Sequence, residues 1–189
     1  MIERFTEAEE VQILAWAEEI RANNRPENDR RVTLTQSSLE IDILGTKGEY
    51  AIYRGLGGAR NKNLVWHRSQ NDGGVDIICN GWKLQIKSTP CYSGRFYLKQ
   101  GEKFVSDLGV LVVEAKGEPN AVDVVRWIGR RRFMETARWV NLNEDYPDVF
   151  AVSQSQMQDN IWNLYHMILS TPVAEIGQNT TEEAFISEL

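Results

Sequence analysis

The chain has 189 residues, 42% of them hydrophobic, and a formal net charge of −6. That length and apolar share suit one well-buried domain with decorations, and no apolar run is long enough to cross a membrane. The charge excludes a protein that is basic all round, and Cys79 and Cys91 give neither a metal-site spacing nor a disulfide framework, so a reducing cytoplasm is the default compartment.

The opening MIERFTEAEE is acidic and lacks the basic and apolar regions of a signal peptide. Residues 6–23 read as an amphipathic helix, with Thr6 and Glu9 as a capping box and Val11, Leu14, Ala15, Ala17 and Ile20 as its apolar stripe. A polar loop over 24–32 ends it. Residues 37–57 read as a second helix with two candidate starts, Ser37 with Glu40 and Thr46 with Glu49. Glu49 is either a capping residue or an acid on the stripe of Ile52 and Leu56. On that stripe it would need a cation or a metal as partner, because burying a lone charge is costly. Gly45 and Gly48 would let this helix approach a neighbour closely.

Leu64-Val65-Trp66 reads as a strand at a sheet edge, followed by His67 and Arg68. His67 is either a surface residue or a general base or phosphate ligand. The stretch 73–88, GGVDIICNGWKLQIKS, then reads as a β-hairpin. Asn80-Gly81 supplies the two positive φ angles of a type I′ turn. A two-residue loop sets Cys79 opposite Trp82, Ile78 opposite Lys83, Ile77 opposite Leu84 and Asp76 opposite Gln85. Alternation gives an apolar face of Val75, Ile77, Cys79, Trp82, Leu84 and Ile86. The other face carries Asp76, Ile78, Lys83, Gln85 and Lys87. Opposed residues have Cβ atoms roughly 4.5–5.5 Å apart. Asp76 and Gln85 could therefore offer oxygens to one Mg²⁺, with Lys87 near a bound water or a phosphate. A solvated polar face on a half-exposed hairpin has the same pattern.

Charge is uneven along the chain. Residues 54–103 carry nine basic and three acidic side chains, whereas both flanking parts are acidic. The hairpin thus lies in the only basic third, which suits a local phosphate-binding surface. Arg54, Arg60, Lys62, Arg68, Arg95 and Lys99 are the candidate contacts, with Ser88 just past Lys87 as a hydroxyl donor. Tyr92, Phe96 and Tyr97 interleave with the cations of 88–103, as in a nucleic-acid groove where rings stack on bases and cations meet phosphates, although an ordinary strand with one packed face also fits. Residues 108–114, LGVLVVE, read as a buried central strand and 122–128 as another. Gly129 opens a helical segment over 130–140, RRRFMETARWV, whose Arg130, Arg131 and Arg132 reach phosphate or are solvated. A polar loop over 141–150 precedes a helix from about Gln154 to Leu169, with Met157, Ile161, Leu164, Tyr165 and Ile168 as its stripe. Residues 171–189 read as a mobile or partner-binding acidic tail.

Asp76 followed by Gln85-Ile86-Lys87 across a strand–turn–strand resembles the signature of the PD-(D/E)XK nucleases. The form is the D…Q-x-K variant of Mrr-like and phage-type endonucleases. The resemblance covers roughly residues 37–135, with Val75 where the signature has proline and Gln85 where it has an acid. It implies one α/β domain over 1–170, a mixed central sheet flanked by helices on both sides, as in restriction endonucleases. Within it, 1–32 would be an N-terminal helix and loop, 37–135 the catalytic core and 153–170 a C-terminal helix. It further implies a Mg²⁺-dependent deoxyribonuclease, with Mn²⁺ as a substitute. Asp76, Gln85, the Ile86 carbonyl and Glu49 would hold the metal, Glu49 supplying the charge that Gln85 lacks. Lys87 would act on the attacking water or the transition state. DNA is the implied partner, a homodimer stays open, and the compartment would be a cytoplasm, the protein's own or a phage host's. A nucleic-acid-binding module without chemistry and a structural or interaction protein are the competing classes.

Overall fold

The computed structural model describes residues 1–23, 37–67, 74–141 and 148–172. The expected loop over 24–32, most of the 141–150 loop and nearly all of the acidic tail lie outside the described residues.

The first strand, β1 (Ile2–Arg4), precedes helix α1 (Glu7–Asn23). The capping box of α1 forms as its sequence predicts. The Thr6 hydroxyl accepts the Glu9 N–H at 3.3 Å, and the Glu9 carboxylate accepts the Thr6 N–H at 2.8 Å. The buried stripe differs from the expected one. Ile13 and Ala17 are buried and Trp16 packs beside them, whereas Val11 is 66% exposed and Leu14 40%. Both sets have helical spacing, and the face carrying the large indole is the one turned inward.

Helix α2 (Ser38–Gly55) starts at Ser37, whose side chain and that of Glu40 form the capping box. Thr46 is internal, its hydroxyl donating to the Asp42 carbonyl at 2.8 Å. Of the two glycines, Gly48 makes the close approach: a Cβ there would collide with the Ser88 Oγ of the sheet. Gly45 has open space around it.

The main sheet adds β2 (Leu64–Trp66), β3 (Ile77–Cys79), β4 (Trp82–Thr89), β6 (Leu108–Glu114) and β7 (Ala121–Gly129), in the order β1-β7-β6-β4-β3-β2. Strands β4 and β6 are parallel and the other neighbours antiparallel. Strand β6 is central, and all its residues but Glu114 are buried. Between β4 and β6 the chain crosses over through β5 (Phe96–Leu98). That strand pairs with β9 (Val149–Val152), and β9 with β8 (Arg138–Val140), in a second sheet. Helix α3 (Arg130–Thr136) links β7 to β8 and is shorter than the expected helical segment over 130–140, because Arg138–Val140 pair with β9 instead. Helix α4 (Ile161–Ser170) starts later than expected, at the Asn160 cap, after a single 3-10 turn at Gln154–Gln156. Its stripe of Ile161, Leu164, Tyr165 and Ile168 is buried, as is Met157 before it.

The two faces of the main sheet are covered differently. Leu84, Ile86, Val110 and Val112 pack with residues of α1, α2 and α4. Leu111 and Ile128 pack with Phe96, Leu98, Phe104, Phe133 and Val152. Helices thus dominate one face. On the other, a small sheet and the seven-residue α3 take the place where more helix was expected.

The hairpin follows its sequence. Asn80 and Gly81 have φ of 48° and 87°, and Cys79↔Trp82, Ile78↔Lys83 and Ile77↔Leu84 are paired. Its turn is fastened to the end of α4. The Asn80 side-chain N–H donates to the Ile168 carbonyl at 3.0 Å, and the Trp82 indole N–H donates to the Thr171 hydroxyl at 3.2 Å.

Candidate active site

Past Ile77 the hairpin ladder becomes irregular. The Asp76 N–H donates to the Leu84 carbonyl at 2.9 Å, on the residue that already opposes Ile77. Two residues of one strand then face one of the other, the count that defines a β-bulge, and a bulge re-aims a side chain. Asp76 is therefore not directly opposite Gln85, as the unbroken register had implied. Its carboxylate accepts the backbone N–H of Ile86 at 2.5 Å. In a strand a residue's N–H and C=O point to the same edge, so the Ile86 carbonyl also faces the side where Asp76 lies.

Gln85 and Lys87 leave the face opposite Ile86. Their parallel partners confirm the face: Ile86 pairs with Val110 on the helix side, and Lys87 pairs with Leu111 on the small-sheet side. Gln85 is only 5% exposed, so this is not a solvated hairpin face. The segment leading into β6 covers it. A Cβ on Gly74 would lie 3.5 Å from the Gln85 Nε2, 3.6 Å from Val105 and 3.8 Å from the Lys103 carbonyl. The positive φ of Gly74, 89°, suits glycine at this close approach. The Gln85 Oε1 is buried with no hydrogen-bond partner. Leaving a buried acceptor unsatisfied costs about 1–3 kcal/mol. A hard cation is a ligand that would satisfy it, so the donors present fit Mg²⁺. Lys87 is half-buried, with its ammonium 3.7 Å from the Glu102 carboxylate.

The remaining candidates divide. The His67 backbone N–H donates to the Asp76 carbonyl at 2.8 Å, which seats His67 beside Asp76 across β2 and β3. Arg60, Lys62, Arg95 and Lys99 are exposed, in reach of a polyanion. Arg130 spans towards the site, contacting the Val105 carbonyl at 3.4 Å and pairing with Asp107 at 3.6 Å. Arg68 lies outside the described residues.

Three candidates sit elsewhere. Glu49 accepts the Trp66 indole N–H at 2.8 Å. Trp66 pairs with Ile77 on the helix side of the sheet, so Glu49 is across the sheet from Gln85 and Lys87. The indole is one polar partner for its place on the stripe. Ser88 is also on the helix side, its Oγ buried beneath Gly48. Arg54 is held by the carboxylates of Glu3 and Glu9 and by the Arg4 carbonyl, with its guanidinium over the Phe5 ring. These contacts tie α2 to the N-terminal strand and helix and leave Arg54 little reach for phosphate.

Glu102, which the sequence reading did not single out, lies beside Lys87. It sits in a turn in which its N–H donates to the Lys99 carbonyl and its carboxylate accepts the Lys99 N–H, both at 3.0 Å. Burial pushes the Tyr97 hydroxyl pKa up, and the nearby charge of Glu102 adds to that. The available signal was that Glu102 is one of three acids, with Asp72 and Asp76, in the basic third of the chain.

Among the described residues no three His, Cys, Asp or Glu side chains gather in a group able to hold a metal ion, so a cation here would draw on amide and backbone oxygens as well. No helix among them is long and apolar enough to cross a membrane. No family model matches the chain, and no curated protein matches it.

Proposed function

We propose that this protein is a Mg²⁺-dependent DNA endonuclease with a restriction-endonuclease-like fold, a member of the PD-(D/E)XK superfamily in which Mn²⁺ substitutes for Mg²⁺. The observation that carries the reading is the meeting of three groups at one end of the hairpin. The Asp76 carboxylate is fixed on the Ile86 N–H, the Gln85 Oε1 is buried without a partner, and Lys87 leaves the same face as Gln85.

Asp76, the Gln85 Oε1 and the Ile86 carbonyl would hold the ion. Bound there, Mg²⁺ would stabilise charge on the phosphoryl group and make a bound water more acidic than bulk water. Lys87 donates to a phosphate oxygen or to the attacking water, and its charge offsets that developing in the transition state. Arg60, Lys62, Arg95 and Lys99 supply sequence-independent contacts to the DNA backbone. Cys79 and Cys91 are free thiols, which suits a reducing cytoplasm, the protein's own or that of a phage host.

A second reading has its own support. Gln85 is neutral, and the donor set is poor in carboxylates among the described residues. That favours a nucleic-acid-binding module that keeps the fold without the chemistry. Incubation with supercoiled plasmid separates the two. Nicking with Mg²⁺ or Mn²⁺, and none with Ca²⁺ alone, is the expected result. Retention of DNA without cleavage in any of the metals would favour the module, and failure to bind DNA would exclude both in favour of an interaction protein.

A further inference from the structure

We infer that Glu102, on the turn between β5 and β6, is the second carboxylate of the metal site and takes over the charge that position 85 lacks; this rests on the metal-dependent reading above. The argument begins with charge. Among the described residues the site without Glu102 has one carboxylate, Asp76, and one ammonium, Lys87, charges that offset each other in attracting a divalent cation. A divalent ion beside an ammonium is repelled at short range, and more strongly where water is scarce. Glu102 lies 3.7 Å from the Lys87 Nζ, on the face that Gln85 shares. Glu49 cannot do this work from across the sheet, where the Trp66 indole holds it.

Geometry adds to charge. The Gln85 Oε1 is buried and unpartnered on this face, so a ligand is expected there independently of the acids. The turn presents Glu102 with its Oε2 accepting the Lys99 N–H at 3.0 Å, which orders the carboxylate. That carboxylate is about one-third exposed, so it can exchange its lysine partner for an ion without a buried rearrangement. The site then has Asp76, Glu102, the Gln85 amide oxygen and the Ile86 carbonyl, an all-oxygen set suited to a hard cation.

The test measures Mn²⁺ binding to the full chain without DNA, by the paramagnetic resonance signal of the free ion. Glu102→Gln keeps an oxygen for the Lys99 N–H and removes only the charge. It should weaken Mn²⁺ binding about tenfold or more, because site charge sets affinity. Adding Gln85→Glu to that variant should restore affinity, since it returns the missing charge on the same face. Asp76→Asn serves as the control. If Asp76→Asn loses Mn²⁺ while Glu102→Gln binds it like the wild type, Glu102 is only a turn residue and the inference is wrong while the site stands. If the wild type itself binds no Mn²⁺, the metal-dependent reading falls and this inference with it.

Discussion

The Asp76 carboxylate occupies the position on the Ile86 N–H that the Val75 carbonyl would fill in an unbroken hairpin ladder. The side chain thereby closes the strand pair and aims a charge at one spot. Removing the charge and removing the oxygen should have separable effects.

Asp76→Asn keeps an acceptor for Ile86 and should unfold within a few degrees of the wild type. Its Mg²⁺-dependent cleavage should fall by on the order of a hundredfold or more. Asp76→Ala also orphans the Ile86 N–H and should lower stability by about 1–3 kcal/mol. Thermal melts and plasmid nicking on the two variants check both statements, and cleavage at wild-type rate by Asp76→Asn would remove Asp76 from the site.

Lys87→Met should lose cleavage while keeping metal binding, and binding should tighten because a cation beside the ion has gone. Calorimetric titration with Mg²⁺ alongside a nicking assay reads the split. A parallel loss of both would make Lys87 a structural partner of Glu102 and nothing more.

Glu49→Gln should leave Mn²⁺ affinity unchanged, because Glu49 lies across the sheet from Gln85. It should still perturb the aromatic group of Trp16, Tyr50, Tyr53 and Trp66 around it, visible as a change in tryptophan fluorescence. Loss of metal binding would show that the carboxylate reaches around the edge of the sheet.

Glu9 gives a pH prediction. Partial burial pushes its carboxyl up, but hydrogen bonds from the Thr6 backbone and hydroxyl, Arg54 and Tyr50 outweigh that and hold the pKa at about 2, below its ordinary 4.5. A carboxyl with a lowered folded-state pKa stabilises the fold above its unfolded pKa, and the benefit disappears as pH falls through the folded value. Glu9→Gln should therefore melt below the wild type at neutral pH, and the gap should close between pH 4.5 and 2. A gap independent of pH would assign the effect to packing.

Legibility in the sequence followed the range of the interactions. The hairpin and its three pairs were readable because Asn80-Gly81 needs only local backbone geometry. The capping boxes at Thr6 and Ser37 were local too, and the unbroken apolar run of β6 marked it as central. Strands β1, β8 and β9 were not legible: three or four residues carry too little alternation, and their partners lie far along the chain. Of the proposed site residues, Gln85 and Lys87 share a sheet face as strand alternation predicts, whereas the bulge that displaces Asp76 from its expected place opposite Gln85 left no mark in the sequence pattern. The sheet face that Glu49 lies over was not readable, because helical spacing shows which helix face an acid is on but not which sheet face that helix covers. The approach of Glu102 to Lys87 was not readable, because the turn that brings them together depends on the crossover between β4 and β6.

The hairpin is fastened at both ends. At the turn, Asn80 and Trp82 bond to the last turn of α4 and Thr171, and at the open end Asp76 bonds to Ile86. A strand pair normally frays from its ends, but here the turn is held to distant residues, Ile168 and Thr171, and the open end is closed by the charged Asp76–Ile86 bond. Deuterium should therefore enter the amides of Ile77, Cys79 and Leu84 only when the whole domain opens. A shift in register between Asp76 and Lys87 would then require the same global event as unfolding.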